Sequence, residues 1–321
     1  MDLPRVNFNE ESLKMQEIYR DEIYMDEISS RTLCESTPEK VKNIYGELFL
    51  PQSQHDNRPY LYTSFVFSLD GKIAFPDNPE GPVISSNNFI NSQGGKADFW
   101  FLNVLRSYAD VVVVGAQTLQ AEPEGTSHVF DQDLVEAREE TLQKDFSHPV
   151  NLVITLDGTD VPLDHDIFFS DELITWVHTS PAGVDYLKEN WNRKLNIVRN
   201  VNDFMDGDVY NKDIITIICT GKSDNTDPQE LMKILNERNI NSVLVESPAY
   251  TWELISKEMI DEMFINYSGL YVGGELGFGK NSSFTSENHP HARLVKISFK
   301  SPNFLYTRQK MDYTKYEKEE G

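Results

Sequence analysis

Residues 97–118 constrain this chain more than any other stretch. Ala97, Trp100, Phe101, Val104, Leu105 and Tyr108 recur at helical spacing and make one apolar stripe, so the segment needs a surface to lie against. The next residues supply it. Asp110 interrupts the stripe, and Val111-Val112-Val113-Val114 is an unbroken β-branched run of the kind found in a strand covered on both faces. Gly115-Ala116-Gln117-Thr118 then stands at the carboxyl end of that strand, the edge at which open α/β sheets take ligands. Glycine permits close approach, and free N–H groups with the Thr118 hydroxyl can donate to a phosphate; a plain tight connection is the other reading of the same residues.

A chain of 321 residues with 39% hydrophobic content can fill one large α/β domain or two small ones. The formal net charge of -23 opposes binding to nucleic acid or to anionic membranes, because affinity for polyphosphate comes mainly from Lys and Arg. An anionic small molecule stays possible, held by a local nest of N–H groups. No N-terminal block resembles a signal peptide and no apolar run approaches the roughly 20 residues that span a bilayer, so a cytoplasmic location is expected. Cys34 and Cys219 are far apart and lack metal-type spacing, so reduced thiols and no metal site are expected.

Residues 1–57 read as a helical, acidic N-terminal extension. Asn9 is a candidate cap for an acidic helix carrying Met15, Ile18, Tyr19 and Ile23 on one side. Thr37 and Pro38 open a second helix, with Val41, Ile44, Tyr45 and Leu48 at helical spacing and Pro51 as its stop. Both are packing signatures, suited to a structural or dimer-covering role, with gating of a site as the rival reading. Beyond a polar linker, residues 60–67 read as the first sheet strand, followed by strands at 150–155, 173–177, 214–219 and 243–246 and helices at 183–190 and 228–236. Residues 131–145 read as a polar, solvated helical insertion. Residues 292–299 and 304–309 are expected to complete the sheet in antiparallel fashion, ahead of a charged tail at 311–321.

The strand at 60–67 leads into Ser68-Leu69-Asp70-Gly71-Lys72-Ile73-Ala74, which places a flexible backbone, a carboxylate and an ammonium at the same sheet end as Gly115; a plain Asp-Gly turn is the alternative. Gly94-Gly95-Lys96-Ala97-Asp98, then Leu105-Arg106-Ser107-Tyr108-Ala109-Asp110, Val114-Gly115-Ala116-Gln117-Thr118 and Val243-Leu244-Val245-Glu246 follow in order. Together these motifs resemble the pyrimidine reductases of riboflavin biosynthesis, over roughly residues 58–310.

The resemblance implies an α/β, dihydrofolate-reductase-like fold: a mostly parallel doubly wound sheet with antiparallel C-terminal strands. It implies NADPH-dependent hydride transfer to a ribosylamino-pyrimidine small-molecule substrate, as in 5-amino-6-(5-phosphoribosylamino)uracil reductase. Gly115 and Thr118 match the family's cofactor-phosphate turn. Thr155 and Asp157 lie towards the adenosine half, Ser68, Asp70 and Ala74 border nicotinamide and substrate, and Glu122 resembles the acidic residue on the substrate sugar. Glu246 matches the acidic residue before the second cofactor loop. Asp70 or Glu122 is the expected proton donor and Lys72 the charge balance; for the acidic positions a solvated or capping role is the rival reading. A homodimer is expected, with the edge of the C-terminal strands available to a partner.

The chain also departs from the family pattern. In place of a Gly-Gly pair after Glu246 it has Ser247-Pro248-Ala249-Tyr250-Thr251, where Pro248 withholds an N–H and Ala249 adds a Cβ. The hydroxyls of Ser247, Tyr250 and Thr251 are candidate replacements as cofactor donors. No basic residue follows closely on Glu122-Pro123; His128 is the nearest basic candidate before Arg138. The His-x-Glu and Pro-Cys-x-x-Cys ligands of the zinc deaminase carried by bifunctional relatives are missing. Three readings follow: a reductase, a nucleotide-binding or regulatory member that has lost hydride transfer, and a dimeric scaffold.

Overall fold

The Val111–Val114 run divides its side chains between two cores. In the computed structural model, which describes residues 3–204, 209–279 and 282–315, Val112 and Val114 join one buried cluster and Val111 and Val113 the other. This is the two-residue period of a strand with a covered layer on each face.

Among the described residues eleven strands form one sheet: β1 (Gln16–Arg20), β2 (Tyr60–Ser68), β3 (Val111–Gly115), β4 (Val150–Ile154), β5 (Thr175–Thr179), β6 (Leu195–Val198), β7 (Ile215–Cys219), β8 (Ser242–Val245), β9 (Glu262–Ser268), β10 (His291–Lys300) and β11 (Phe304–Asp312). Their order is β1-β10-β11-β9-β2-β8-β3-β4-β5-β7-β6. Every pairing from β9 to β6 is parallel, whereas β11, β10 and β1 add on in antiparallel fashion. The expected fold class is the observed one. The α-helices among the described residues include α1 (Glu10–Leu13), α2 (Glu22–Ser29), α3 (Glu39–Ile44), α4 (Val83–Ser86), α5 (Ser92–Tyr108), α6 (Ala116–Ala121), α7 (Gln132–Glu140), α8 (Pro181–Asn190), α9 (Pro228–Glu237) and α10 (Pro248–Ser256).

Helix α5 is the central element of one layer. Asn91 caps it by accepting from the Gly94 N–H at 2.8 Å. Trp100, Phe101, Val104, Leu105 and Tyr108 are all buried in the cluster that also holds Val112 and Val114. The opposite layer is built on α9 and α10, through Leu231, Leu235 and Leu254.

Two expectations fail, each because a distant partner overrides the local pattern. The first acidic helix stops at Leu13, and residues 16–20 instead form β1 against β10. Lys300 helps end the helix by donating to the Ser12 and Lys14 carbonyls at 2.6 and 2.8 Å. Ile18, Tyr19 and Ile23 are consequently exposed, not stacked on one buried side. The edge of β10 offered to a partner in the sequence reading is occupied by β1 of the same chain.

The second correction concerns residues 131–145. Helix α7 packs Leu134, Val135 and Ala137 inward, and Arg138 is 1% exposed. Its guanidinium donates to the carbonyls of Arg106, Ser107 and Ala109 at 3.1, 2.7 and 2.8 Å, joining the Ala109 N–H on the first and supplying the other two beyond the reach of the helix. Replacing this donor strands several buried carbonyls. Arg138→Met is expected to cost about 3 kcal/mol in urea unfolding; an unchanged midpoint would show that these carbonyls find other partners.

Candidate functional site

The pairings β2 to β8 and β8 to β3 set Thr63, Val245 and Val113 level with one another, so that the second half of β2 runs on past the carboxyl ends of β8 and β3. Glu246 continues the register by donating its N–H to the Val113 carbonyl at 2.8 Å. Beside these ends and under α5 lies a cavity of about 860 Å³. Of the residues singled out in the sequence, Ala74, Thr118, Glu122 and Glu246 line it.

Arg106 holds Glu246 in place. Its Nε and Nη2 donate to the two carboxylate oxygens, each at 2.7 Å, and its Nη1 donates to the His128 carbonyl at 3.1 Å. Both partners are nearly buried, at 8% and 11% side-chain exposure, so this is a two-point ion pair in a largely desolvated place. Glu122 accepts from the Gly81 N–H at 3.2 Å, and burial pushes its carboxyl above the usual range.

Asp98 on α5 is a further carboxyl on the cavity wall that sequence reasoning did not single out. It accepts from the Asn266 amide at 2.7 Å, and burial pushes it up to about 6. The signal was present as spacing: Asp98, Leu102 and Arg106 are successive i, i+4 positions, so one helix face carries a carboxyl, an apolar wall residue and the clamp on Glu246.

The phosphate-sized turn is close-packed. A Cβ on Gly115 would stand 3.1 Å from the Ser247 hydroxyl and 3.5 Å from that of Thr118, so the absence of a side chain keeps these two hydroxyls beside open backbone. Pro248 occupies the first position of α10 and lines the cavity. An N–H at that position has no partner within the helix in any case, so the proline leaves the positive end of α10 intact. Thr118 and Pro248 face the cavity, with Gly115 and Ser247 packed behind them and outside its lining.

Other residues singled out in the sequence stand elsewhere. Thr251 is fully buried with its hydroxyl 3.4 Å from that of Thr63, and Tyr250 belongs to the core beneath α10. Both point to the sheet and not into the cavity. Thr155 donates to Asp160 and accepts from Gly158, while Asp157 accepts from the Thr159 N–H and hydroxyl, so these two residues build the turn after β4. Asp70 accepts from the Ser68 hydroxyl at 2.6 Å and from the Val272 and Gly273 N–H groups at 3.1 and 2.7 Å. The Ser68 bond first, and the backbone donors with it, hold its carboxyl down to about 2. Asp70 thus joins two turns as a carboxylate, a state opposite to the proton donor expected of it. Lys72 bridges the same turn to Gly277 through its backbone and is absent from the cavity lining.

The N-terminal segment forms part of the wall. Val6, Asn7, Phe8, Asn9, Ser12 and Leu13 line the cavity, with the Phe8 ring 5.8 Å from that of Phe99. His128 is fully buried, and burial lowers its imidazole to about 4, so the ring is neutral. The Thr126 hydroxyl lies 2.7 Å from Nδ1 and the Pro4 carbonyl 2.9 Å from Nε2, which assigns the proton to Nε2. His128 therefore ties down the N-terminal segment and is no phosphate ligand.

Among the described residues, no cluster of three or more His, Cys, Asp or Glu could hold a metal ion, and no helix is long and apolar enough to cross a membrane. The model of the RibD C-terminal domain matches residues 59–304. Among solved structures, the chain is similar to a pyrimidine reductase-like protein from Corynebacterium diphtheriae, with a TM-score of 0.57 and 17% identity over 84% of this chain and 97% of that one. It is also similar to Acinetobacter baumannii RibD (TM-score 0.52, 15% identity, 79% of this chain). A third is the diaminohydroxyphosphoribosylaminopyrimidine deaminase/5-amino-6-(5-phosphoribosylamino)uracil reductase of Thermotoga maritima (TM-score 0.53, 19% identity, 79% of this chain). The matches span 58% and 56% of those last two chains. No curated protein matches.

The clamp gives the site a direct test. Arg106→Met leaves the Glu246 carboxylate buried without its cation and is expected to cost about 3–5 kcal/mol in stability, whereas Arg106→Met combined with Glu246→Met should recover most of the loss. Equal destabilisation by the single and double variants, measured in urea, would deny that the pair is coupled.

Proposed function

The chain belongs to the family of the RibD C-terminal domain, with its dihydrofolate-reductase-like fold, and on that premise we propose that it is an NADPH-dependent reductase of a ribosylamino-pyrimidine or a closely related small molecule. The observation that carries this reading is the cavity itself. It lies beside Ser64, Phe65 and Val66 of β2 and beyond the carboxyl ends of β8 and β3, where a phosphate-compatible turn and two carboxyls of raised proton affinity meet.

NADPH, when bound, supplies the hydride. Gly115, Thr118 and Ser247 hold the diphosphate, Thr155 and Asp157 lie towards the adenosine half, and Ala74 with Ser68 beneath it borders the nicotinamide. Glu246, fixed by Arg106, positions the substrate sugar. Asp98 and Glu122 are the proton donors to the sugar as it opens and is reduced, because burial keeps a proton on each to higher pH than on an exposed carboxyl. Asp70 shapes the turn that leads to Ala74. The reading includes a homodimer; with β10 already paired, the exposed Ile18 and Tyr19 of β1 form the surface for a second copy.

The test follows NADPH fluorescence while 5-amino-6-(5-phosphoribosylamino)uracil, or its form without the phosphate, is added. Substrate-dependent loss of the signal is expected. If Asp98 is the acid, turnover falls as pH rises through about 6, where its proton is lost. Asp98→Asn should lower kcat by about 100-fold and remove that limb of the pH profile. NADPH that binds tightly and is never oxidised by either pyrimidine would instead favour a member of the fold that has lost hydride transfer.

A further inference from the structure

Asp98 faces β9 from α5, and the residue it meets there is Asn266. Asn266 is 1% exposed, and its register neighbours on the same face of the sheet are Val66 of β2 and Tyr306 of β11. Its Nδ2 donates to Asp98 Oδ1 at 2.7 Å. Its own Oδ1 is buried with no hydrogen-bond partner among the described residues. Val66 has no side-chain donor to offer, and the Tyr306 hydroxyl donates to the Gly94 carbonyl at 2.7 Å.

A buried carbonyl without a donor costs free energy, and a leucine fills the same place without that cost. The neighbour able to supply a donor is Asp98 itself. As a carboxylate Asp98 only accepts, which suits the amide Nδ2; as a carboxylic acid it has an O–H to give, which suits Oδ1. A half-turn of the side-chain amide exchanges the two atoms. The other groups around Asp98 are committed elsewhere. Ser85 of α4 directs its hydroxyl to the Pro82 carbonyl at 3.0 Å. On the cavity wall Lys96 is exposed, Arg106 is paired with Glu246, and Glu122 accepts from the Gly81 N–H. Burial raises the Asp98 carboxyl, and Asn266 is the larger of the two hydrogen-bonding influences that draw it back down, ahead of Ser85.

We propose that Asn266 is a positioning residue for Asp98, and that its side-chain amide turns over as the carboxyl loses and regains a proton, donating to the carboxylate and accepting from the acid. The inference rests on the reductase reading for the use made of that proton. There Asp98 passes it to the oxygen of the opening sugar, the amide turns to hold the carboxylate left behind, and a proton taken from water restores the acid.

Neutron diffraction from crystals of the full chain, at about pH 5 and about pH 8 on either side of the Asp98 ionisation, tells the deuterated amide nitrogen from the oxygen. Oδ1 should face a deuterated Asp98 at the lower pH and Nδ2 should face it at the higher. The same atom facing Asp98 at both, or a carboxyl that keeps one protonation state across the range, overturns the proposal. This arm uses the unaltered chain, so it decides even where a variant fails to fold. In solution, carbon NMR of the Asp98 side chain gives the midpoint of its ionisation. Asn266→Leu removes the donor to the carboxylate, and the charged form loses more than the neutral one, so the midpoint should rise by about one pH unit, a tenfold gain in proton affinity. An unmoved midpoint overturns the proposal. The limb of turnover that falls with rising pH should move up by the same amount, whereas damage to the fold lowers kcat at every pH and leaves the limb in place. Neither the diffraction nor the NMR needs substrate. Both results as expected, in a chain that never oxidises NADPH, would sink the reductase reading and uphold the role of Asn266.

Discussion

The two-point pair between Arg106 and Glu246 is the interaction on which the site depends. It spans α5, the end of β8 and the loop that carries His128, three elements that no backbone ladder joins at that point. A desolvated pair of this kind contributes little net stability compared with an apolar core, and its value lies in the one arrangement it permits. With it in place, both oxygens of the Glu246 carboxylate accept from Arg106 at the cavity wall, which ties the end of β8 to α5. Leu102 and Asp98, one and two helical turns earlier on the same face, also line the cavity.

Function is then a matter of partition among carboxyl groups. Asp70 is wrapped in three donors and stays ionised, Glu246 is neutralised by a cation, and Asp98 and Glu122 are raised by burial. Environments that push like groups apart are the usual means by which one site obtains both an acid and an anion at neutral pH. Pro248 fits the same economy of contacts. At the first position of α10 it gives up an N–H that the helix had no use for, so the departure from a Gly-Gly pair changes the surface of the phosphate turn without removing the helix end behind it.

How much of this could be read from the sequence depends on the range of the interactions. The Val111–Val114 run, the stripe on α5 and the helix expected at 228–236 are local patterns, and each element lies within a few residues of its expected bounds. The β1 strand was not legible, because nothing in residues 16–20 outweighs an acidic helical pattern until β10 offers its edge. Arg138 looked like part of a solvated helix, since a basic residue carries no mark that it will close the end of a helix about thirty positions earlier. The N-terminal segment along residues 3–13 has no apolar period, and its place in the cavity wall is set by distant partners such as Phe99 and His128. Tyr250 and Thr251 were assigned by their hydroxyls, but the phase of α10 turns both into the core.

The central claim is that a nicotinamide nucleotide lies in the cavity at the three strand ends. The most direct measurement is a crystal structure of the chain saturated with NADPH. The account predicts the diphosphate beside Gly115 and Thr118 at the amino end of α10, with the nicotinamide ring against Ala74. Density for the nucleotide at any other surface, or a cavity left empty at saturation, would contradict it.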